Sequence, residues 1–362
     1  MTLDGPTRYG SSRYGSSRAD VEALLAQWGE PGYRATQLWN GLYERRQALE
    51  ACSDLGKDLR ARLADALPLA FDTRIQHESR DRMTAKWLWA ARDGAQVETV
   101  LMRFPTRATV CVSSQAGCAM GCTFCATGQA GFERHLAAGE IVEQVLRAAH
   151  RSPQRVSNVV YMGMGEPLAN YDAVWASIER LHHDVGLSAR HLTVSTVGIA
   201  PAMRRLAREQ LPITLAVSLH APDDDLRERL VPLNHRYPLA ELMDAATEFA
   251  AARGRRVTFE YACIAGVNDE LGQADALAQL LRGFTGRGGA HVNLIPLNPT
   301  TGFAGSAPAA ARLRRFAERL RRRGVNATVR RNRGADIDAA CGQLRARTPI
   351  PAPGSASATM AP

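Results

Sequence analysis

Apolar and polar positions along this chain follow two rhythms, and the change from one to the other divides it. Between about residues 20 and 95 the pattern is one of short helices, with apolar side chains recurring every three to four positions in Val21–Gly29, Ala35–Arg46 and Leu55–Leu67. We expect a small all-helical accessory domain over 19–95, with its aromatic and basic residues as an RNA contact, although Trp28, Trp39 and Tyr43 individually read as core. From about residue 105 the rhythm becomes short β-rich runs alternating with helical ones. Strands are predicted at 108–113, 157–162, 191–196, 213–219, 257–264 and 290–296, and helices at 139–150, 172–184, 201–209, 238–253, 271–283 and 308–323. Six strand-then-helix units imply an α/β fold of parallel strands with right-handed crossovers, either a partial barrel or an open doubly wound sheet. This core is expected to span 96–346.

Two stretches break the pattern. The repeat Arg-Tyr-Gly-Ser-Ser at Arg8–Ser12 and Arg13–Ser17, and the Pro- and Ser-rich end, carry little apolar surface, so 1–18 and 347–362 are expected to be disordered tails. No run approaches the roughly 18 apolar residues of a membrane span, and the first residues lack the apolar core of a secretory signal. A cytoplasmic protein with no membrane partner is expected. Seven cysteines, an odd number with three crowded together, fit metal ligation and catalysis better than a disulfide framework.

Charge adds a location. Basic and acidic residues balance at 14 and 14 over 1–100 and at 19 and 19 over 101–300, whereas 301–362 holds 12 against 3. The whole excess of +9 therefore lies in a C-terminal segment, 308–346 and its tail, with arginines at 312, 314, 315, 319, 321, 322, 323, 330, 331 and 333. Such a run is either a footprint for a polyanion or a solvated helix face.

The chemically distinctive residues fall just after predicted strands. Cysteines follow the first, Gly163–Pro167 the second, Ser195 and Thr196 end the third, Ser218–His220 the fourth, and Leu297–Pro299 follow the sixth. In barrels and parallel sheets ligands bind beyond the carboxyl ends of strands, so these residues converge on one site. The cysteines Cys118, Cys122 and Cys125 have C-x3-C-x2-C spacing on a glycine-bearing loop. A closed 4Fe-4S site takes four thiolates, so three leave one iron open to chelate a small molecule. Zinc prefers two paired Cys or Cys/His sets, and there is no second set.

With an aromatic before its last cysteine, this spacing resembles the signature of the radical S-adenosylmethionine superfamily. The strings QAGCAMGCTFCATG (115–128), GMGEPL (163–168), SLHAP (218–222) and RGADIDAACGQL (333–344) further resemble the RNA methyltransferases that modify an adenine in 23S ribosomal RNA and, in their main branch, transfer RNA. The resemblance covers about 20–345 and implies a radical-SAM partial (β/α)6 barrel. It implies that Cys118, Cys122 and Cys125 ligate one 4Fe-4S cluster. It places Gly165 and Glu166 along the methionine end of S-adenosylmethionine, and Ser195, Ser218, Leu219, His220 and Asn298 around the sulfonium and adenosine. An electron donor, such as a flavodoxin-type system, is implied as well.

Carbon 2 of adenine lies between two ring nitrogens and is too electron-poor to attack a methyl sulfonium, which explains a radical route. The resemblance implies that Cys341 carries a methyl group from one S-adenosylmethionine, that a second activates it, and that the resulting carbon adds to the base. It assigns Cys111 to release the product by attacking the sulfur of Cys341, forming a disulfide bond, and Glu98 to accept a proton. The remaining cysteines, Cys52 and Cys263, read as buried and inert. Rival readings are the sister group acting at carbon 8, a radical activase for a protein glycine, and a non-catalytic Fe-S or zinc RNA-binding module.

Overall fold

The protein is described by a computed structural model over residues 12–284 and 289–344. Three helices open it: α1 (Arg18–Gln27), α2 (Tyr33–Trp39) and α3 (Lys57–Ala66). Helix α1 starts where the sequence permits reciprocal capping, because the Ser17 hydroxyl accepts from Asp20 N at 3.1 Å while Asp20 accepts from Ser17 N at 2.7 Å. Trp39 and Tyr43 are buried in the core, and Trp28 is half-buried beneath Arg62, 4.3 Å from its ring. These aromatics hold the helices together rather than present a surface.

The all-helical reading of 19–95 needs correction, since the helices end at Ala66. The chain then forms an antiparallel meander, β1 (Phe71–Glu78), β2 (Thr84–Ala91), β3 (Gln96–Arg103) and β4 (Ala108–Cys111). Every residue of β2 is buried, so its sequence shows no two-residue alternation. Strand β1 is mostly exposed and sits at the edge of the sheet.

A small hairpin, β5 (Gln115–Gly117) and β6 (Phe132–His135), flanks the short helix α4 (Ala126–Ala130). The predicted alternation follows with shifts of one or two residues at most strand and helix ends: α5 (Ala138–His150), β7 (Val156–Tyr161), α6 (Tyr171–His183), β8 (Leu192–Thr196), α7 (Ala200–Arg208), β9 (Thr214–Ser218), α8 (Asp224–Leu230), α9 (Leu239–Arg253), β10 (Val257–Cys263), α10 (Leu271–Leu280), β11 (Ala290–Pro296) and α11 (Ala310–Arg322), with α8 the one helix among them that the pattern does not predict. A final strand, β12 (Asn326–Val329), adds to β11 in parallel and is absent from the six predicted. The main sheet runs β1-β2-β3-β4-β7-β8-β9-β10-β11-β12, parallel from β4 onward. Loops after β4, β7, β8, β9, β11 and β12 all reach one cavity, which is the geometry of a partial barrel.

The start of the chain needs a second correction. Residues 12–18 pack rather than trail, with Tyr14 fully buried and edge-on to Tyr43 at 6.0 Å between ring centroids. Arg13 Nε donates to Leu67 O at 3.2 Å, and Arg180 donates to Tyr14 O. The buried aromatic and these hydrogen bonds together hold a segment whose composition is otherwise that of a linker. Residues 1–11 of the expected first tail, and the whole of the expected tail at 347–362, lie outside the described residues. We expect Tyr14→Ala to cost about 3 kcal/mol of stability in chemical denaturation, the range for truncating a buried aromatic. A change within about 0.5 kcal/mol, as for an exposed residue, would contradict this packing.

Candidate active site

The three motif cysteines sit on the loop between β5 and α4. Gly117 has φ +74°, and a Cβ there would meet Gly131 O at 2.1 Å, so only glycine allows the close pairing that also brings Cys118 N to Gly131 O at 2.7 Å. All three line one cavity at the carboxyl ends of the strands. Burial pushes the Cys118 thiol up to about 12, and burial followed by its two neighbours raises Cys122 further. Crowded, buried thiols of this kind become thiolates only against a strong positive charge, which a metal centre supplies. Among the described residues no three His, Cys, Asp or Glu are arranged around a single ion. A cluster does not require that, because each thiolate takes a different iron. The donor set therefore fits a 4Fe-4S cluster.

Gly165, Glu166, Ser195, Ser218, His220 and Asn298 line the same cavity, as the convergence of strand ends predicts. Gly165 has φ +96°, and a Cβ would meet the Gln115 side chain at 2.5 Å. The buried Glu166 carboxylate accepts from Leu168 N at 2.9 Å and Val197 N at 2.9 Å, joining the loops after β7 and β8. Burial nevertheless pushes this carboxyl up to about 7. His220 adopts a left-handed φ of +64°, a strained conformation for a non-glycine residue. Its Nδ1 accepts from Ala262 N at 3.0 Å, so the proton of the neutral ring is on Nε2. Burial, then Arg227, drives the imidazole down to about 3, which keeps it neutral.

Leu219 is the exception: its side chain is fully buried and does not line the cavity, and only its backbone serves, donating to Glu260 O at 3.0 Å. Phe124, the aromatic before the last motif cysteine, lies edge-on to His220 at 4.9 Å. One contributor has no signal in the sequence pattern. Arg227, buried without a carboxylate bonded to it, donates to Leu219 O, Ser218 O, Val197 O and Asn234 Oδ1 and so ties the loops after β8 and β9.

A second cavity adjoins the first and contains Cys111 at the end of β4, beside Val100, Met102 and Phe104. Cys341 lines both cavities, as do Arg330, Met162 and Ile295. Two cysteines 230 positions apart in the sequence are thus brought to one place. All seven cysteines are free, so the expected disulfide is not a feature of this structure. Burial pushes Cys111 up to about 12, and burial of the thiol likewise raises Cys341, whose residue is exposed at the cavity wall, while Arg330 opposes the shift. Arg330 is held by the buried Glu260 at 3.5 Å. The Cys341 loop is latched from several sides: Asn298 Nδ2 donates to Cys341 O at 2.9 Å, Ala126 N to Gly342 O at 2.8 Å, and Thr127 Oγ1 to Leu344 O at 2.6 Å.

Glu98 lines neither cavity. It is buried on β3 in an ion pair with Lys86 Nζ at 2.9 Å, and Lys86 also donates to Asp338 O at 3.1 Å, three residues before Cys341. Cys52 and Cys263 are fully buried, as expected. The arginine run divides: Arg312 pairs with Asp269 at 2.8 Å, and Arg319 and Arg323 pair with Asp275 at 2.7 and 2.8 Å. These three are engaged by the protein itself, which narrows the expected polyanion footprint.

Glu166 gives a pH prediction. Its folded carboxyl titrates near 7 against an ordinary 4.5, so the folded state holds the proton more tightly. Stability should then fall as pH rises from about 4.5 to about 7, by up to about 3 kcal/mol from this group. In cluster-free protein Glu166→Gln should remove that slope in denaturant titrations across this range. An unchanged slope would assign it to another group.

The sequence profile of the Radical SAM superfamily matches residues 112–277, which spans the cysteine loop and the parallel strands through β10. A probable dual-specificity RNA methyltransferase RlmN of Frankia alni is 53% identical over 357 residues, covering 94% of this chain and 84% of that protein. One from Thermobifida fusca is 50% identical over 355 residues, covering 94% and 95%. The crystal structure of a radical SAM methyltransferase from Sphaerobacter thermophilus superposes with a TM-score of 0.87 at 49% identity, covering 92% of this chain and 99% of that one. No helix among the described residues is long and apolar enough to cross a membrane. The family model includes the cysteine loop, these relatives match nearly the whole chain, and the chain belongs to the RlmN family of radical SAM RNA methyltransferases.

Proposed function

We propose that this enzyme methylates carbon 2 of an adenine in 23S ribosomal RNA and in transfer RNA, passing the methyl group through Cys341. The observation that carries the reading is the position of Cys341 on the wall between two cavities, one bearing the cluster cysteines and the other Cys111. When bound, the cluster and S-adenosylmethionine supply one-electron chemistry able to activate a methyl group, fed by an external donor such as a flavodoxin-type protein. Two S-adenosylmethionine are used per turnover, one as methyl donor to Cys341. The cytoplasm holds both RNAs and these reductants.

The chain's own residues then divide the work. Cys118, Cys122 and Cys125 hold the cluster, while Gly165, Glu166, Ser195, Ser218, His220 and Asn298 enclose the cofactor, with Leu219 acting through its backbone. Cys341 presents the one-carbon unit towards the second cavity, where its carbon bonds to the base, and the odd electron of that adduct passes to the external one-electron carrier as the base loses its proton. Glu98 is the proton acceptor for the adduct in this reading, and Lys86, paired with that carboxylate at 2.9 Å, also holds Asp338 O of the Cys341 loop. The Cys111 thiolate attacks the sulfur of Cys341, the sulfur–carbon bond breaks, and its electron pair leaves with the carbon, which is then protonated. The bridge between the two sulfurs lasts only until cellular thiols reduce it.

Anaerobic turnover of reconstituted protein with an RNA fragment tests this. We expect 2-methyladenine from wild type, no product from Cys341→Ala, and a trapped protein–RNA adduct from Cys111→Ala. Product methylated at carbon 8 would move the enzyme to the sister activity. Cofactor cleavage with no RNA product would leave only the cluster assignment standing.

A further inference from the structure

The turn between β3 and β4 forms the outer rim of the Cys111 cavity and has no part in the cofactor site. It is closed by Phe104 N donating to Arg107 O at 2.8 Å. Phe104 is half-buried and lines the cavity with Cys111 and Cys341. Two guanidinium groups lie on its ring, Arg107 at 4.2 Å and Arg333 at 4.4 Å from the centroid. Arg333 comes from the segment leading to Cys341 and donates to Arg103 O at 3.3 Å, so this segment is pinned across the turn. Arg331, exposed, lines the same cavity.

Nearby carboxylates are already engaged. Glu78 accepts from Arg103 at 2.7 Å and lies 3.6 Å from Arg82, Asp81 accepts from the Ser79 hydroxyl at 2.6 Å and Met83 N at 2.9 Å, and Asp336 accepts from Arg80 N at 3.0 Å. Among the described residues Arg107, Arg331 and Arg333 form no ion pair with a carboxylate, unlike Arg312, Arg319 and Arg323. The rim is therefore a net cationic lip around an aromatic ring at the entrance to an apolar slot. Nucleobases stack on aromatic and guanidinium planes, and Arg107 and Arg333, which have no carboxylate partner, can leave the ring for phosphates and open its face to a base.

We infer that this rim seats the single-stranded RNA flanking the target base, with a neighbouring nucleobase stacked at Phe104 and phosphates on Arg107, Arg331 and Arg333. The inference rests on the RNA methyltransferase reading and adds to it a place where the strand is gripped. Stacking tolerates any base, so this contact holds the strand in register without choosing its sequence. The base that reacts enters the apolar slot behind the rim and reaches Cys341.

The test uses full-length, cluster-reconstituted protein and a labelled RNA hairpin carrying the target adenine in its loop. Phe104→Leu keeps apolar volume and removes the ring, and should weaken binding roughly 5- to 100-fold, whereas Phe104→Trp should bind within about twofold of wild type. Arg107→Gln with Arg333→Gln should flatten the slope of log affinity against log salt by about 1.4, the value for two phosphates on a single strand. Reductive cleavage of S-adenosylmethionine without RNA should be unchanged in all of them. Wild-type affinity in Phe104→Leu, or equal losses in the Leu and Trp variants, would overturn the stacking contact and leave the methyltransferase reading intact. A wild type that cleaves the cofactor yet binds no RNA would overturn that reading and this inference with it.

Discussion

The hydrogen bonds that latch the Cys341 loop onto the cluster loop are the constraint on which the site depends. Ala126 N to Gly342 O and Thr127 Oγ1 to Leu344 O join segments about 216 residues apart, and no local preference of either segment creates that meeting. The sheet does so by ending with β12 beside β11, which delivers the chain to the open end of the barrel. The latch puts Cys341 on a wall shared by two cavities. Without it, the cysteine cannot be reached from both sides, and the chemistry assigned to it loses its geometry.

Around that latch, charges are buried only where something answers them. Arg227 has no carboxylate bonded to it but four oxygen acceptors from the surrounding loops, and Glu260 is met by Arg330 and by Asn293 at 2.9 Å. Lys86 answers Glu98 and at the same time holds Asp338 O. Removing one partner of such a buried pair leaves an uncompensated charge, and the cost is larger than the pair's own contribution. These groups therefore fix loop positions more than they add stability. His220, strained in backbone and held neutral, belongs to the same set.

The parallel half of the fold was legible because each of its strands is a short β-rich run between amphipathic helices, so residue type and spacing agree. The cysteine loop was legible for a different reason: its chemistry is compressed into eight positions. What escaped the sequence is what depends on distant partners. Strand β2 is buried on both faces and shows no alternation, β12 is four residues long, and Tyr14 is one aromatic in a Gly/Ser repeat. Lys86 meets a loop 252 residues away. The arginines of 312–323 were visible as charge, yet Asp269 and Asp275, which neutralise three of them, lie some 40 positions upstream. Glu98 lines neither cavity and is paired with Lys86 on the neighbouring strand, a partner that no periodicity could indicate.

The central claim is that Cys341 carries the methyl group, and it is tested most directly by peptide mass spectrometry of cluster-loaded enzyme after incubation with methyl-deuterated S-adenosylmethionine under reducing, anaerobic conditions without RNA. The account predicts a labelled methyl on the peptide containing Cys341 and none on Cys111, Cys52 or Cys263. An unlabelled Cys341 in a preparation that goes on to methylate RNA would contradict it.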